Sequence, residues 1–233
     1  MPETKGVVYL AIGRTAYEMA LTSALSMIIQ SINQSIEITM LTDINAAKPE
    51  IFSNIHGCIK VVNISADIET VSHLDGGRKV AYLKTRLHKL SPYHKTLYLD
   101  NDTKAVRDIS AIWDLVEDGI GFSKAFNPLV EGCEYHQGSE EYYTATRIDN
   151  WYQYNSGVFL FAKSSSMSIF FENWCRKWSK FKNHENMALT RLLDYAQVNL
   201  IELPCRFNDF YPNRNDESCI VHYISWYKKY LND

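Results

Sequence analysis

The sequence predicts an α/β protein with a mostly parallel central sheet flanked by helices. Apolar runs of strand length alternate with longer segments of helical periodicity, a pattern typical of units in which a helix connects two parallel strands. The early strand-like runs end in a glycine or a polar loop, where the ligand-binding edge of such a sheet lies. The 233 residues include 46% hydrophobic residues and no internal repeat or clear linker. We therefore expect a single domain spanning residues 1–233, with a large buried core.

Composition argues against several classes of function. The net charge of −3 and the sequence pI near 6.2 provide no basic field that would attract nucleic acid or an anionic membrane. No apolar run reaches the roughly 20 residues needed to span a bilayer, and the amino terminus lacks the apolar core of a signal peptide. The five cysteines are scattered and odd in number, as is typical of reduced thiols. We therefore expect a cytoplasmic protein without a membrane span.

The chain opens with a strand, a turn and a helix. Residues 6–12 form an apolar run suited to a buried strand, and Gly13 follows as a turn. Thr15 and Glu18 have the spacing of a capping box, after which small and apolar residues recur at helical period to about Ser31. This order favours nucleotide binding only weakly, because the chain contains neither G-x-G-x-x-G nor G-x-x-x-x-G-K-[ST].

The same alternation predicts the remaining elements. Apolar and β-branched runs predict strands at residues 36–42, 58–64, 96–99, 119–123, 157–161, 198–203 and 219–224. Helical character predicts helices at residues 77–90, 109–116, 164–181 and 185–196. Pro92 interrupts the chain before the strand at 96–99, and Asn155 and Ser156 introduce the strand at 157–161.

Two carboxylates follow the strand at residues 96–99 directly. Asp100 and Asp102 would point the same way in extended backbone, and two converging carboxylates repel each other unless a cation lies between them. Mg²⁺ or Mn²⁺ is the expected cation, because such ions are held by one or two carboxylates together with substrate phosphates. The alternative is an Asx turn, in which Asp100 or Asp102 caps backbone amides.

Residues 126–154 are polar and aromatic without clear periodicity. A loop of this length within a compact domain is usually functional, and exposed rings can hold the apolar faces of sugars. The alternative is that these rings only pack over the edge of the domain. The side chains concerned are those of Glu131, Glu134, Tyr135, His136, Glu140, Glu141, Tyr142, Tyr143, Trp151, Tyr152 and Tyr154.

Several motifs together resemble the nucleotide-sugar glycosyltransferases of the GT-A fold. Residues 98–103 read Tyr-Leu-Asp-Asn-Asp-Thr, which is similar to the Leu-Asp-x-Asp-Thr metal motif of glycosyltransferase family 8, a family that includes glycogenin and bacterial galactosyltransferases. Residues 154–159 resemble that family's Phe-Asn-Ser-Gly-Val strand. His222, Tyr223 and Lys228 resemble its carboxyl-terminal His-(Tyr/Phe)…Lys element. The resemblance covers most of the chain, and it implies a nucleotide-binding half at about 1–104 and an acceptor-side half at about 105–233.

The resemblance implies a function and a set of site residues. The reaction would move a hexose from a UDP-sugar to an unidentified glycan, protein or small-molecule acceptor, with retention of anomeric configuration. Asp100, Asp102 and His222 would bind the Mn²⁺ or Mg²⁺ that the reaction requires. Lys84, Asn155 and Glu185 would be catalytic: Lys84 would stabilise the leaving diphosphate, Asn155 would bind the sugar, and Glu185 would stabilise the oxocarbenium-like sugar or orient the acceptor. The nucleotide and donor sugar would contact Ala11, Gly13, Thr15, Tyr17, Asp43, Lys84, Asn101, Ser156, Gly157 and Lys228.

Some of these positions also have purely structural interpretations. A histidine in an apolar strand, such as His222, is by itself more typical of a hydrogen-bonded core residue than of a metal ligand. Lys84 would lie on an exposed helix face, Tyr17 would pack in the core, and Asp43 would cap backbone. The chain also departs from the family pattern, because Ser225 replaces a glycine and Glu185 replaces an aspartate that precedes glutamine.

Two other functions fit part of the sequence. Phosphatases of the haloacid-dehalogenase type also end an apolar strand in Asp-x-Asp, where the first aspartate is the nucleophile. Their motif normally lies near the amino terminus and continues with Gly-Thr, whereas nearly a hundred residues precede Asp100. The other alternative is a binding module for sugar nucleotides or glycans that kept the fold and lost turnover.

Overall fold

The computed structural model describes residues 4–31, 36–43, 59–129, 152–182, 185–193, 196–212 and 214–223. The strands are β1 (Lys5–Ala11), β2 (Glu37–Thr42), β3 (Ile59–Asn63), β4 (Lys95–Leu99), β5 (Thr103–Ala105), β6 (Ile120–Leu129), β7 (Tyr152–Ala162), β8 (Leu200–Glu202), β9 (Asp209–Phe210) and β10 (Ile220–His222). The α-helices are α1 (Arg14–Gln30), α2 (Ser65–Glu69), α3 (Gly76–Lys84), α4 (Leu87–Leu90), α5 (Ser165–Phe181) and α6 (Glu185–Leu193). Ser110–Asp114 and Cys205–Phe207 form 3₁₀ turns.

The strands form a large sheet and a small one. Seven strands in the order β3-β2-β1-β4-β7-β6-β8 make the large sheet, in which β7 alone runs antiparallel to its neighbours. The strands β5, β10 and β9 make the small sheet. The carboxyl ends of β1, β2 and β4 lie at the same edge of the large sheet, because these strands are parallel. The predicted fold class, a mostly parallel sheet flanked by helices, is confirmed.

Both faces of the large sheet are buried. Alternate residues of β1 pack on opposite faces: Val7 and Tyr9 contact a core that includes α1, while Val8 and Leu10 contact a core that includes α5 and α6. This double burial explains why the strands read as continuous apolar runs instead of alternating ones. In β4 the same alternation turns Tyr98 toward the second core, beneath the end of the strand.

The start of α1 differs from the prediction. Gly13, and not Thr15, is the residue that precedes the first helical turn, and it makes no side-chain cap. Its φ of 82° lies in the region that favours glycine, and its amide donates to Asp43 Oδ1 at 3.0 Å. The Asp43 carboxylate, after β2, therefore accepts a hydrogen bond at the start of α1 that a local capping side chain was expected to accept. Thr15 is exposed.

Other boundaries also differ. The helix predicted at 77–90 is two helices, α3 and α4, and the helix predicted at 109–116 is only the 3₁₀ turn Ser110–Asp114. Strand β7 begins at Tyr152, so Asn155 and Ser156 lie inside it and do not precede it. The strand extends this far because Tyr154 and Asn155 pair with β6, although the register there is irregular. The short strands β5 and β9 were not predicted, since two or three residues carry no detectable periodicity.

Some predictions fall partly or wholly outside the described residues. Of the aromatic stretch 126–154, the structure describes residues 126–129 and 152–154, which belong to strands β6 and β7. Lys228 lies outside the described residues. Among the described cysteines, Cys175, Cys205 and Cys219 are free thiols. In the part of the chain that the structure describes, none of the helices has the length and apolar character needed to cross a bilayer.

Candidate functional site

The aspartate motif forms a tight turn between the two sheets. Strand β4 ends at Leu99, and both the amide and the hydroxyl of Thr103 donate to the Asp100 carbonyl, at 3.2 and 2.8 Å. The expectation of extended backbone through Asp100 and Asp102 is therefore wrong, because residues 101 and 102 form a turn that leads into β5. The turn still brings the two carboxylates to the same side.

Strand pairing brings His222 to these aspartates. Strand β10 pairs with β5 so that His222 lies opposite Thr103, and the Tyr223 amide donates to the Asp102 carbonyl at 2.8 Å. His222 Nε2 lies 3.2 Å from Asp102 Oδ1. One ligand atom from each of Asp100, Asp102 and His222 lies within 4.8 Å of the others, and we call these three residues the ligand cluster. Two oxygens and one imidazole nitrogen suit Mn²⁺ or Mg²⁺.

The His222 ring is held on both sides. Its Nδ1 lies 3.0 Å from Asn208 Oδ1, and the ring of Phe210 stacks on it with centroids 5.5 Å apart. Only 3% of His222 is exposed to solvent. Sequence reasoning missed Asn208 and Phe210, because β9 is too short to recognise and a lone asparagine after a 3₁₀ turn has no distinguishing pattern.

A second group of charges lies beside the ligand cluster and shares Asp100 with it. Lys84 Nζ is 3.0 Å from Asp100 Oδ1 and 2.9 Å from Glu185 Oε1, which also accepts from Ser156 Oγ at 3.0 Å. We call Lys84, Asp100, Glu185 and Ser156 the lysine cluster. Lys84 is 2% exposed, so the alternative of an exposed helix face is wrong for this residue.

Electrostatics keep the lysine cluster ionised. Burial alone would raise the pKa of Glu185, but the Lys84 ammonium outweighs burial and lowers that pKa to about 2. Burial alone would lower the pKa of Lys84, but Asp100 and Glu185 outweigh it and raise that pKa above its ordinary value. Tyr98 donates to Asp100 Oδ1 at 2.6 Å, and burial followed by the Asp100 charge raises the Tyr98 pKa well above its ordinary value.

The formal charges of the two clusters do not cancel. Asp100, Asp102 and Glu185 contribute three formal negative charges, and Lys84 contributes one formal positive charge. Two negative charges remain at the end of β4, and one divalent cation would neutralise them. The ligand cluster therefore suits a divalent cation in charge as well as in donor atoms.

The Asn155-Ser156-Gly157 segment forms the wall next to these clusters. Gly157 contacts the ligand cluster so closely that an added Cβ would overlap the His222 ring and come within 2.9 Å of Asp100 Oδ2. Its carbonyl accepts from the Asp100 amide at 2.7 Å. Asn155 Oδ1 already accepts from the Gly157 amide at 2.8 Å and from Asn208 Nδ2 at 3.0 Å. The close approach that the glycine permits is therefore between β7 and the ligand cluster.

Helices α5 and α6 place the remaining groups. Trp174 Nε1 in α5 donates to the Glu185 carbonyl at 3.0 Å, which fixes the first turn of α6. From the same turn, Asn186 Oδ1 accepts from the Ser156 amide at 2.9 Å. The predicted residues Lys84, Ser156 and Glu185 are thus in direct contact, although they lie on three different elements.

The residues expected to contact the nucleotide divide into two groups. Gly13 and Asp43 are hydrogen-bonded to each other at the ends of β1 and β2, and Asn101 Nδ2 donates to the Leu10 carbonyl at 2.8 Å. The buried atom Asn101 Oδ1 has no hydrogen-bond partner among the described residues, so a ligand at this edge could donate to it. Ala11 and Tyr17 instead pack in the core, as the structural interpretation of Tyr17 expected.

Comparisons with known proteins identify the family and the fold of the chain. A sequence model of glycosyl transferase family 8 matches residues 12–229. The structure is similar to that of the galactosyltransferase LgtC in complex with donor and acceptor sugar analogs, with a TM-score of 0.68 and 14% identity over 97% of this chain and 94% of that one. It is also similar to the bifunctional glycosyltransferase WbbM, with a TM-score of 0.67 and 15% identity over 97% of this chain and 46% of WbbM.

A further similar structure is the glycosyltransferase GlyE of Streptococcus pneumoniae TIGR4, with a TM-score of 0.60 and 15% identity over 95% of this chain and 55% of GlyE. No curated protein sequence matches the chain significantly. At these identities the solved structures establish the fold, whereas the family match extends over most of the sequence. The chain belongs to glycosyltransferase family 8, and the resemblance carried by its aspartate and Asn-Ser-Gly motifs is confirmed.

Proposed function

We propose that this glycosyltransferase moves a hexose from a UDP-sugar to an acceptor with retention of anomeric configuration, and that it needs Mn²⁺ or Mg²⁺. The observation that carries the proposal is the ligand cluster, whose three ligand atoms lie within 4.8 Å of one another beside an excess of two negative charges. LgtC, to which the chain is similar, binds donor and acceptor sugar analogs, which supports transfer of a sugar from a donor to an acceptor.

Asp100, Asp102 and His222 would hold the metal together with the donor's phosphates. When bound, the metal would neutralise the negative charge that grows on the leaving diphosphate. The turn at residues 100–103 keeps both carboxylates in place before the substrate arrives, so little reorganisation is needed. Lys228, which we expect at the diphosphate, lies outside the described residues.

Glu185 and Lys84 would act on the donor sugar as a fixed ion pair. With a pKa of about 2, Glu185 is ionised at neutral pH and is a poor proton donor, so its part is electrostatic: it stabilises the positive charge that develops on the sugar ring. Lys84, which the family resemblance places at the leaving diphosphate, would hold both Asp100 and Glu185 in position. Asn155 would contact the sugar through its amide nitrogen, because its oxygen is occupied.

Cys175, Cys205 and Cys219 are free thiols among the described residues, as is usual in a reducing compartment, and we propose the cytoplasm as the place of action. The donor sugar, the acceptor and the oligomeric state are matters for experiment, since donors that differ in one hydroxyl orientation are separated only by pocket geometry.

The test is release of UDP from a panel of UDP-hexoses with Mn²⁺, with Mg²⁺ and with EDTA. We expect metal-dependent release from one donor, and a loss of about 100-fold or more in Asp102→Asn, because a metal contributes several kcal/mol to charge stabilisation. Asp118→Asn, an exposed aspartate, is the matched control and should leave the rate unchanged. Metal-dependent UDP binding without release from any donor, with candidate acceptors present, would favour a binding module, and absence of UDP binding would contradict the proposal.

A further inference from the structure

A chain of hydrogen bonds connects the wall of the site to the ligand cluster. The Gly157 amide donates to Asn155 Oδ1 at 2.8 Å, Asn208 Nδ2 donates to the same oxygen at 3.0 Å, and Asn208 Oδ1 lies 3.0 Å from His222 Nδ1. Asn208 is 1% exposed and His222 is 3% exposed. Asn208 and His222 are therefore shielded from water, and their polar atoms depend on protein groups for hydrogen bonds.

The direction of every bond in this chain follows from its first donor. A backbone N–H can only donate, so the Asn155 atom that it meets must be the carboxamide oxygen. The Asn208 atom facing that oxygen must then be the amide nitrogen, which leaves the Asn208 oxygen facing His222. An oxygen can only accept here, so Nδ1 of His222 carries the proton.

The consequence lies at the other ring nitrogen. Nε2 is then the ring nitrogen that faces Asp102 Oδ1, at 3.2 Å. The carboxylate favours a cation at this nitrogen, either a proton or a metal ion that displaces the proton. Phe210 stacks on the ring and limits its rotation, so Nε2 stays aimed at the two aspartates.

We propose that Asn208 is a positioning residue of the metal site: it fixes the tautomer and orientation of His222 so that Nε2 is available as a metal ligand. This inference rests on the proposed function only in taking His222 as a metal ligand. Buried carboxamides are costly unless fully hydrogen-bonded, and an apolar side chain of similar size would fill the same space. The polar residue at position 208 is explained by its two directed bonds.

The first test needs no substitution. Nitrogen-15 NMR of metal-free protein reports the protonation of each ring nitrogen, and His222→Gln assigns the signal. We expect Nδ1 of His222 to be protonated, whether or not Nε2 also carries a proton. A His222 ring protonated at Nε2 and not at Nδ1 would overturn the proposal, whatever the enzymatic activity.

The second test compares substitutions at Asn208 by Mn²⁺ titration in a calorimeter. Asn208→Ala should move the proton to Nε2 and weaken Mn²⁺ binding by about 10- to 100-fold, the usual effect of losing such a partner. Asn208→Asp keeps an acceptor for Nδ1 but loses the donor to Asn155 Oδ1, so it should retain the tautomer and bind Mn²⁺ more tightly than Asn208→Ala does. Asn199→Ala, which removes an exposed side-chain bond to the Asp118 carbonyl, is the control and should change neither.

The outcomes separate this inference from the proposed function. Wild-type tautomer and Mn²⁺ affinity in Asn208→Ala would show that Asn208 only packs, and would overturn the inference while sugar transfer could continue. Absence of Mn²⁺ binding in the wild-type protein would contradict the proposed function, and the NMR measurement would still decide the tautomer. If Asn208→Ala does not fold, the wild-type spectrum and Asn208→Asp remain decisive.

Discussion

The two charged clusters at the end of β4 differ in how their charges are balanced. In the lysine cluster, the Lys84 ammonium contacts two carboxylates at 2.9 and 3.0 Å, and a hydroxyl completes the set. In the ligand cluster, Asp100 and Asp102 converge with the His222 ring, and the Lys84 ammonium that contacts Asp100 is shared with Glu185. The first arrangement stabilises the fold by itself, whereas the second is suited to binding a cation.

The contrast predicts that the lysine cluster can be broken by one substitution. Lys84→Met leaves two partly buried carboxylates without their cation, so the free energy of unfolding should fall by up to about 3–5 kcal/mol. Urea unfolding followed by circular dichroism measures this. The control is Lys89→Met, whose partner Glu172 is as exposed as Lys89 itself, and a much smaller loss than in Lys84→Met is expected there. Equal losses in the two variants would contradict the account.

Acid should weaken the same cluster. Glu185 has its pKa lowered to about 2 from an ordinary 4.5, so its contribution is complete above pH 4.5 and is lost as the pH falls toward 2. That contribution is roughly 3 kcal/mol at neutral pH. The raised pKa of Lys84 adds stability that is lost only in strongly alkaline solution. Urea unfolding between pH 6 and pH 2.5 should therefore show a shallower acid decline for Glu185→Gln than for the wild-type protein; parallel curves would be incompatible with the ion pair.

Metal binding to the ligand cluster should stabilise the fold, whereas removal of the Asp102 charge without metal should not destabilise it. Mn²⁺ at 100 times its dissociation constant should raise the free energy of unfolding by about 2.7 kcal/mol, and Asp102→Asn should abolish this increase. Without metal, Asp102→Asn should be as stable as the wild-type protein or more so, because a like charge beside Asp100 is removed. Thermal unfolding with and without Mn²⁺ tests both statements, with Asp118→Asn as the control. A metal-free Asp102→Asn protein much less stable than wild type would contradict them.

The wall of the site is expected to show the smallest effect. Gly157→Ala places a methyl group against the His222 ring, so we expect a loss of about 1–3 kcal/mol in stability and weaker Mn²⁺ binding. Gly76→Ala is the matched control, since an added Cβ there meets nothing within 4 Å. Urea unfolding and calorimetry of the two variants would sharpen the comparison. Unchanged metal affinity in Gly157→Ala would mean that β7 does not support the ligand cluster.

Parts of the fold and site that depend on local sequence were predictable. The strands of the large sheet are continuous apolar runs, since both faces are buried, and the end of β4 in Asp100 and Asp102 is visible as an abrupt change of polarity. The family resemblance identified His222 as a candidate metal ligand, whereas the apolar residues around it in sequence are typical of a core residue. These inferences needed no knowledge of which elements are neighbours.

What the sequence could not provide depends on contacts between distant elements. The cap at Gly13 comes from Asp43, thirty residues away, so the local Thr15–Glu18 pattern was misleading. Asn208 acquires its role from Asn155 and His222, on β7 and β10, and nothing near it in sequence indicates that role. The burial of Lys84 likewise depends on α6, because the sequence around α3 alone is compatible with a solvent-exposed face.

The most direct measurement is anomalous diffraction from crystals grown with Mn²⁺ and UDP. The account predicts one strong manganese peak in contact with Asp100, Asp102 and His222 Nε2, with the diphosphate of UDP completing the coordination. A manganese peak elsewhere, or UDP bound at the strand ends without any metal between its phosphates and these three residues, would contradict the assignment of the ligand cluster.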